Sequence, residues 1–379
     1  MGLQWVSVEA RTGKIITDLP DLVATKAKVS LGRYEPCPVT LPLTTAPENW
    51  VRATKPGASV LLLLGDNPED PAHGIPLTGL LVLQRPRTEK DELDLSTTTI
   101  EGYLDRRFVG DRSYVNVGQN AIIADLVTSF VAALGIPIRV QYVTSGAGKL
   151  RKRTYQDQDD KTVYSALSDL MGVRDGPEWT IGWEWQHNPE RLTPVLYVGD
   201  RIGRTAPVGL NPSASFEIPG SVRSFKYLED YSSRKGANSV VATSSGQGDT
   251  RPQSSPHVVA DVDRPRFEFR WSPSSSITDT DTLDDYAAEG VKALAEGTNT
   301  IQMTADLDTA PQLGTDWALG DDVYYVIGGH DSTGADTVPS MPGGKEGVAR
   351  AIGWEIDFSE PMTITPTLLL PGLDDTEEE

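Results

Sequence analysis

The chain has 379 residues, 38% of them hydrophobic, and a formal net charge of −20; that length allows two or three domains at ~100–200 residues each. The charge argues against a nucleic-acid partner or an anionic membrane surface, because phosphate binding needs clustered Lys and Arg. The single cysteine, Cys37, excludes a disulfide within the chain and a Cys-based zinc site.

Cysteine poverty fits folding in a reducing cytoplasm. The opening MGLQWVSVEA has no basic region followed by an apolar run, so no signal peptide is expected. The longest apolar runs, such as Val60–Leu64, fall far short of the ~20 residues needed to span a bilayer, so no membrane insertion is expected. Gly 35 and Pro 27 suit a β-rich, loop-rich chain.

Residues 1–100 read as β. Gln4–Val8, Lys26–Leu31, Val60–Leu64 and Gly79–Leu83 are strand candidates between Gly, Pro and Asn clusters, and the prolines from Pro36 to Pro47 mark edges or loops. Short strands with frequent turns predict a barrel or sandwich.

Residues 101–220 read as an α/β layer. Asn120 is expected to cap a helix with Ile123, Val127, Phe130 and Leu134 on one face, ended by Gly135 and Pro137, with a strand at Ile138–Val143. The run Lys149, Arg151, Lys152 and Arg153 is the only dense basic one. It is expected as a solvated loop, with an interface strip meeting an acidic neighbour as the alternative. Asp159 and Asp160 are expected to cap a helix whose Val163, Leu167, Leu170 and Met171 form one stripe, with Gly172 as a left-handed stop. After the Asp175-Gly176-Pro177 turn, Trp179, Ile181, Trp183 and Trp185 alternate with Thr180, Gly182 and Glu184, which places the indoles on one strand face. That face is either core or an aromatic platform for a sugar or a partner. Pro194–Val198 is a further strand.

Residues 221–370 return to β, with candidates at Ser221–Tyr231, Ser239–Ser244, Phe267–Trp271, Thr300–Leu307, Asp322–Ile327, Ala349–Phe358 and Met362–Leu370. A helix is inserted near 283–296, capped by Asp279, Asp281 and Thr282. Thr243–Pro256 reads as a mobile loop, and 371–379 as an acidic tail ending DDTEEE. One echo spans the chain: Gly57 and Gly320 are each followed by Val three residues on and Gly eight on, and each comes after a Trp (Trp50, Trp317). It is either chance or the trace of two related β modules.

A search for chemistry returns little. The histidines His73, His187, His257 and His330 are far apart in sequence, and HExxH, CxxC and Gly-x-Ser-x-Gly are absent. Glu178 and Glu184 lie about 20 Å apart along one strand, against the ~5–9.5 Å that a glycosidase pair needs. No catalytic, cofactor or metal residue is expected, and the chain reads as a non-enzyme. The candidate interface residues are Trp179, Trp183, Trp185, Lys149, Arg151, Lys152 and Arg153.

EGYLDRR (101–107), IIADLV (122–127), TYQDQDDKTVYSALSDLM (154–171) with GPEWTIGWEW (176–185), and YLEDYSSRKGANSVVATSSGQGD (227–249) together resemble minor tail proteins of actinobacteriophages. These in turn are similar to the baseplate-hub or tail-tip hub proteins of long-tailed phages. The resemblance implies an α+β, β-rich fold of two tube-like β-barrel domains (1–100 and 221–370) with an intervening α/β domain (101–220). It implies a homotrimer whose six barrels match a sixfold tail tube. The implied partners are distal tail ring or tail-tube proteins, the tape-measure protein and tip or fibre proteins. DNA would pass without specific binding, and an acidic wall suits that passage. The implied place is the distal end of the virion tail, after assembly in the host cytoplasm, or the equivalent in a phage-derived injection device. The alternative is a carbohydrate-binding or cell-wall-degrading tail component using the tryptophan face.

Overall fold

Continuous or alternating Val, Ile and Leu, broken by Gly, Pro and Asn, make the first hundred residues a set of short strands. A computed structural model describes residues 2–370 except 134, 145, 147, 174, 208, 233–234, 245–250, 273–278 and 296. The strands are β1 (Leu3–Glu9), β2 (Ile15–Asp18), β3 (Val23–Ala24), β4 (Lys26–Ser30), β5 (Val39–Pro42), β6 (Ser59–Gly65), β7 (Ile75–Gln84) and β8 (Glu92–Thr99), with a single helical turn α1 (Trp50–Ala53) before β6. All but β4 form one antiparallel seven-stranded sheet in the order β2-β1-β6-β7-β8-β5-β3. The path is open at β2 and β3. Every residue of the interior strand β6 is buried. The four expected strands are present; β2, β3, β5 and β8 join them, with β5 running through the proline-marked stretch to Pro42.

After a 3₁₀ segment at Ile100–Arg106 come β9 (Arg112–Gly118), α2 (Gln119–Val127), β10 (Arg139–Tyr142), β11 (Leu150–Tyr155), α3 (Val163–Met171), β12 (Glu178–His187) and β13 (Glu190–Gly199). β13 is central in a mixed sheet, parallel to β10 and antiparallel to β12. Ile122, Ile123, Leu126 and Val127 of α2 and Val163, Ala166, Leu167 and Leu170 of α3 share one buried cluster with Trp179, Trp183, Leu196 and, from the first sheet, Val6, Val60, Leu62 and Leu64.

Some local signals resolve differently in the fold. Asn120 lies inside α2 and donates to Gly146 O at 3.2 Å and Asp200 Oδ1 at 3.3 Å, so it ties loops to the helix start and is no cap. α2 widens into a π turn at Thr128–Ala132; Leu134 lies outside the described residues. The cap of α3 is Thr162, whose hydroxyl accepts from Ser165 N–H at 3.1 Å, while Asp157–Asp159 form a 3₁₀ turn of their own. Gly172 stays right-handed (φ −77°), and the positive φ falls on Asp175 (φ 50°).

The remaining elements are β14 (Ser215–Ile218), β15 (Val222–Asp230), β16 (Ser239–Ala242), β17 (His257–Val258), β18 (Glu268–Trp271), α4 (Thr280–Ala295), β19 (Thr298–Asp306), β20 (Asp322–Ile327), β21 (Lys345–Asp357) and β22 (Thr363–Leu369). A second sheet runs β14-β20-β21-β22-β19-β15, and β4 from the first hundred residues adds to β21. Compactness divides the chain into two units, residues 1–224 with 303–367 and residues 225–302 with 368–379. In the second unit β17-β16-β18 form a small sheet, and Val240 and Ala242 pack with Leu283, Ala287 and Val291 of α4. The inserted helix is thus present. Of the Thr243–Pro256 stretch, 245–250 lie outside the described residues, as does the acidic tail 371–379.

The two large sheets share a plan. In chain order take β1, β3, β5, β6, β7 and β8 as strands a to f, and likewise β14, β15, β19, β20, β21 and β22. Both sheets then run a-d-e-f-c-b, the first with β2 added outside a. They differ in the direction of strand a, antiparallel to d in the first and parallel in the second. The sequence echo falls on strand d of each. Gly57 (φ 70°) and Gly320 (φ 91°) turn the chain into that strand, and each donates its N–H to strand e, Gly57 to Val82 O at 2.8 Å and Gly320 to Ala351 O at 2.7 Å.

Candidate assembly interface

The tryptophan face of β12 is a wall of the core, the first of the two alternatives its alternation left open. Trp179 is 0% exposed and Trp183 is buried. Gly79 of β7 makes room for Trp183, because a Cβ there would lie 2.4 Å from the indole Nε1. The first sheet is the cover that three indoles on one face require. Trp185, at the end of the strand, is half-buried. Its Nε1 donates to Gly74 O at 2.8 Å, and it lines an acidic cleft with Asp18, Asp66 and Glu190.

The basic run is also not a loop. Arg151, Lys152 and Arg153 lie on β11, an antiparallel partner of β9, because the backbone of an otherwise polar segment finds its hydrogen bonds in the ladder. Lys149 ion-pairs with Asp175, and Arg151 donates to Gln119 Oε1 at 3.0 Å and Asp175 O at 3.2 Å. Arg153 donates to Lys152 O at 3.0 Å. The outward row of this ribbon carries Lys152, Leu150 at 65% exposure and, on β9, Val115 at 62%.

The acids flanking the tryptophans are structural. Glu178 Oε1 accepts from Arg350 Nη1 at 2.6 Å, its second oxygen accepts from Arg350 Nη2 and from Ile202 N–H at 2.7 Å, and Arg350 also donates to Ile202 O at 2.8 Å and Gly320 O at 3.1 Å. Arg204 reinforces the same joint by donating to Asp321 at 2.6 and 2.8 Å. Gly203 (φ 92°) allows the close approach, since a Cβ on it would meet Gly320 C at 2.0 Å. Glu184 pairs with Arg139 and accepts from Tyr197 O–H at 2.7 Å. The fold also brings together two histidines that sequence spacing keeps far apart. The rings of His73 and His187 lie 4.9 Å apart, and His73 meets Trp185 at 4.8 Å. Among the described residues no group of three or more His, Cys, Asp or Glu is placed to hold a metal.

The feature with the plainest bearing on assembly is β4. It leaves the first sheet directly after β3 and pairs antiparallel with the far half of β21, from Ser30↔Gly353 to Lys26↔Asp357. Leu31 N–H donates to Ile352 O at 2.9 Å, the residue after the one that receives Gly320. Lys26 pairs with Glu355 at 2.6 Å and Asp357 at 3.5 Å, and Cys37, which is buried and pushed by burial up to about 12, donates its thiol to Lys26 O at 2.8 Å. Strand b of one sheet therefore continues onto strand e of the other.

No family model matches the chain, and no curated protein matches it. Solved structures do match over nearly the whole length. The 43 kDa tail protein of prophage MuSo2 from Shewanella oneidensis has a TM-score of 0.59 at 11% identity, covering 97% of this chain and 98% of that one. The tail protein from Neisseria meningitidis MC58 gives 0.58 at 14%, covering 97% of each chain. Prophage tail protein gp18 from Listeria monocytogenes EGD-e gives 0.50 at 8%, covering 96% and 94%. At these identities the likeness is one of fold: the chain has the β-rich α+β fold of phage tail proteins.

Proposed function

We propose that the chain is a structural hub at the distal end of a phage tail, of the kind found in actinobacteriophages, acting as a homotrimer. The observation that carries this reading is the repeated a-d-e-f-c-b order, joined edge to edge through β4. Two equivalent sheets per chain let three chains present six similar modules to a sixfold tube with closed symmetry. The fold shared with prophage tail proteins supports the same role. In functional terms 1–100 and 221–370 are the two tube-like modules, barrel-forming in the assembled ring, and 101–220 is the layer that braces them. Tail-tube or distal-ring proteins sit above, tape-measure and tip or fibre proteins below, and the outward row of Leu150, Lys152 and Val115 is a contact strip for one of them. The net charge of −20 suits a lumen that DNA traverses without sticking.

Light scattering on the purified chain, with and without its tail-tube neighbour, tests the reading. The expected mass is three chains; a strict monomer at high concentration that also fails to join tail proteins overturns it. The carbohydrate alternative has lost Trp179 and Trp183 to the core and rests on Trp185 alone.

A further inference from the structure

The β4–β21 contact within one chain implies a matching contact between chains. Beyond Ala351, where strand d ends its pairing, strand e of the second sheet is completed by the continuation of strand b from the first sheet. The first sheet has the same opening. β6 begins at Ser59, Gly57 N–H closes on Val82 O, and Leu83 and Gln84 of β7 run on with β8 on one side and no strand of the described residues on the other. The second sheet has the corresponding arm. Its strand b, β15, is nine residues long and ends the strand path, so no strand of the described residues lies outside it. Leu228 is 41% exposed there. A long open edge of this kind is an aggregation hazard unless something covers it.

We propose that residues 225–230 of one protomer add antiparallel to residues 83–87 of a second copy of this chain, repeating between chains what β4 does within one. The inference rests on the trimer reading and names its interface. The matching strand positions carry the pairing, and charge adds one contact to it. Within the chain, the arm carries Lys26 and Lys28 and the acceptor carries Glu355 and Asp357. Between chains the arm carries Lys226, Glu229 and Asp230, of which Asp230 is already paired with Lys235, and the acceptor carries Arg85 and Arg87, so Glu229 is the acid that can meet them. Arg85 and Arg87 are already held at that place, Arg85 donating to Val51 O at 2.6 Å and Arg87 lying over the Trp50 ring at 5.7 Å. A β4 arm arriving at the wrong acceptor would set lysines against arginines. That repulsion discriminates against the wrong arm. Main-chain bonds of an added strand supply affinity and the side chains supply the choice of partner.

The test introduces a benzoylphenylalanine photocrosslinker in place of Leu228 in the full chain. Light scattering reads the mass, and peptide mapping locates the crosslink. The expected result is a three-chain mass with interchain crosslinks in residues 83–89. A three-chain mass with crosslinks elsewhere overturns the inference and leaves the trimer standing, whereas a monomer removes both. A charge swap gives a second, independent reading. Arg87→Glu is expected to weaken assembly about tenfold, the effect of ~1.4 kcal/mol, and Glu229→Lys added to it is expected to restore assembly. No recovery in the double variant overturns the register proposed.

Discussion

Glu101 is a carboxylic acid with almost no water. It is buried at the start of the 3₁₀ segment after β8, and its Oε1 accepts from Ile181 N–H at 3.2 Å. Burial pushes its pKa up to about 7, while the hydrogen bonds from the backbone and Thr99 pull the other way. The folded chain therefore holds a proton that the unfolded chain has already released between about pH 4.5 and pH 7. Because the native state binds more protons in that window, stability is full below it and falls as pH rises through it, by roughly 3 kcal/mol for this one group. Glu101→Gln keeps the acceptor and removes the titration. Urea midpoints at pH 5 and pH 8 are expected to differ less in the variant than in the parent, with the gain appearing at pH 8. Equal slopes in the two proteins would show that Glu101 stays ionised in the fold.

At the scale of elements, the joint between β12 and the second sheet depends on Arg350. Its guanidinium spans both oxygens of Glu178 and two backbone carbonyls, and both side chains are more than four-fifths buried. Removing one partner of such a pair leaves a buried charge uncompensated, so Arg350→Ala is expected to cost about 3 kcal/mol in denaturant unfolding. Arg350→Lys should recover only part, since a point charge cannot reproduce the fork. A cost near that of an ordinary surface ion pair would mean water reaches Glu178. This joint also marks where the sequence stops being legible. The apolar runs behind β6 and β20 announced their strands, and period two placed three indoles on one face. What covers that face is a matter of which strands meet it, and Gly79 opposite Trp183 is informative only once β7 and β12 are adjacent. Lys26–Leu31 read as a strand, but its membership of the other sheet is decided by pairing over a sequence distance that no local pattern reports. β9 and β11 form a two-stranded ribbon exposed along one row, so LRKRTY needed no apolar alternation and showed none. Thr162 outcompeted two nearby aspartates as the cap of α3 because Asp160 turns left-handed (φ 47°) before the helix begins.

At the scale of the whole molecule, the chain leaves its larger unit after Ser224 and returns at Met303. The residues between have their own core around Val240, Ala242, Leu283 and Val291, and the larger unit's cluster, from Val6 through Trp179 to Val198, draws nothing from them. The departure falls within strand b and the return within strand c of the second sheet, the interval in which the first sheet carries β4. One position in the shared plan thus holds a short arm in one copy and a folded insertion in the other. Strands b and c are neighbours, so a two-residue turn such as Asn-Gly can close the gap left by deleting 225–302. The shortened chain is expected to keep a single cooperative unfolding transition, because the buried cluster from Val6 to Val198 is untouched and the loop it loses costs little entropy to close. It is also expected to sediment as a monomer, because the deletion takes away residues 225–230. Cooperative unfolding with assembly retained would move the chain-to-chain contact to another edge. Loss of cooperativity would show instead that the insertion is part of the larger unit's folding nucleus, and would make the two copies of the plan unequal in how they fold as well as in what they carry.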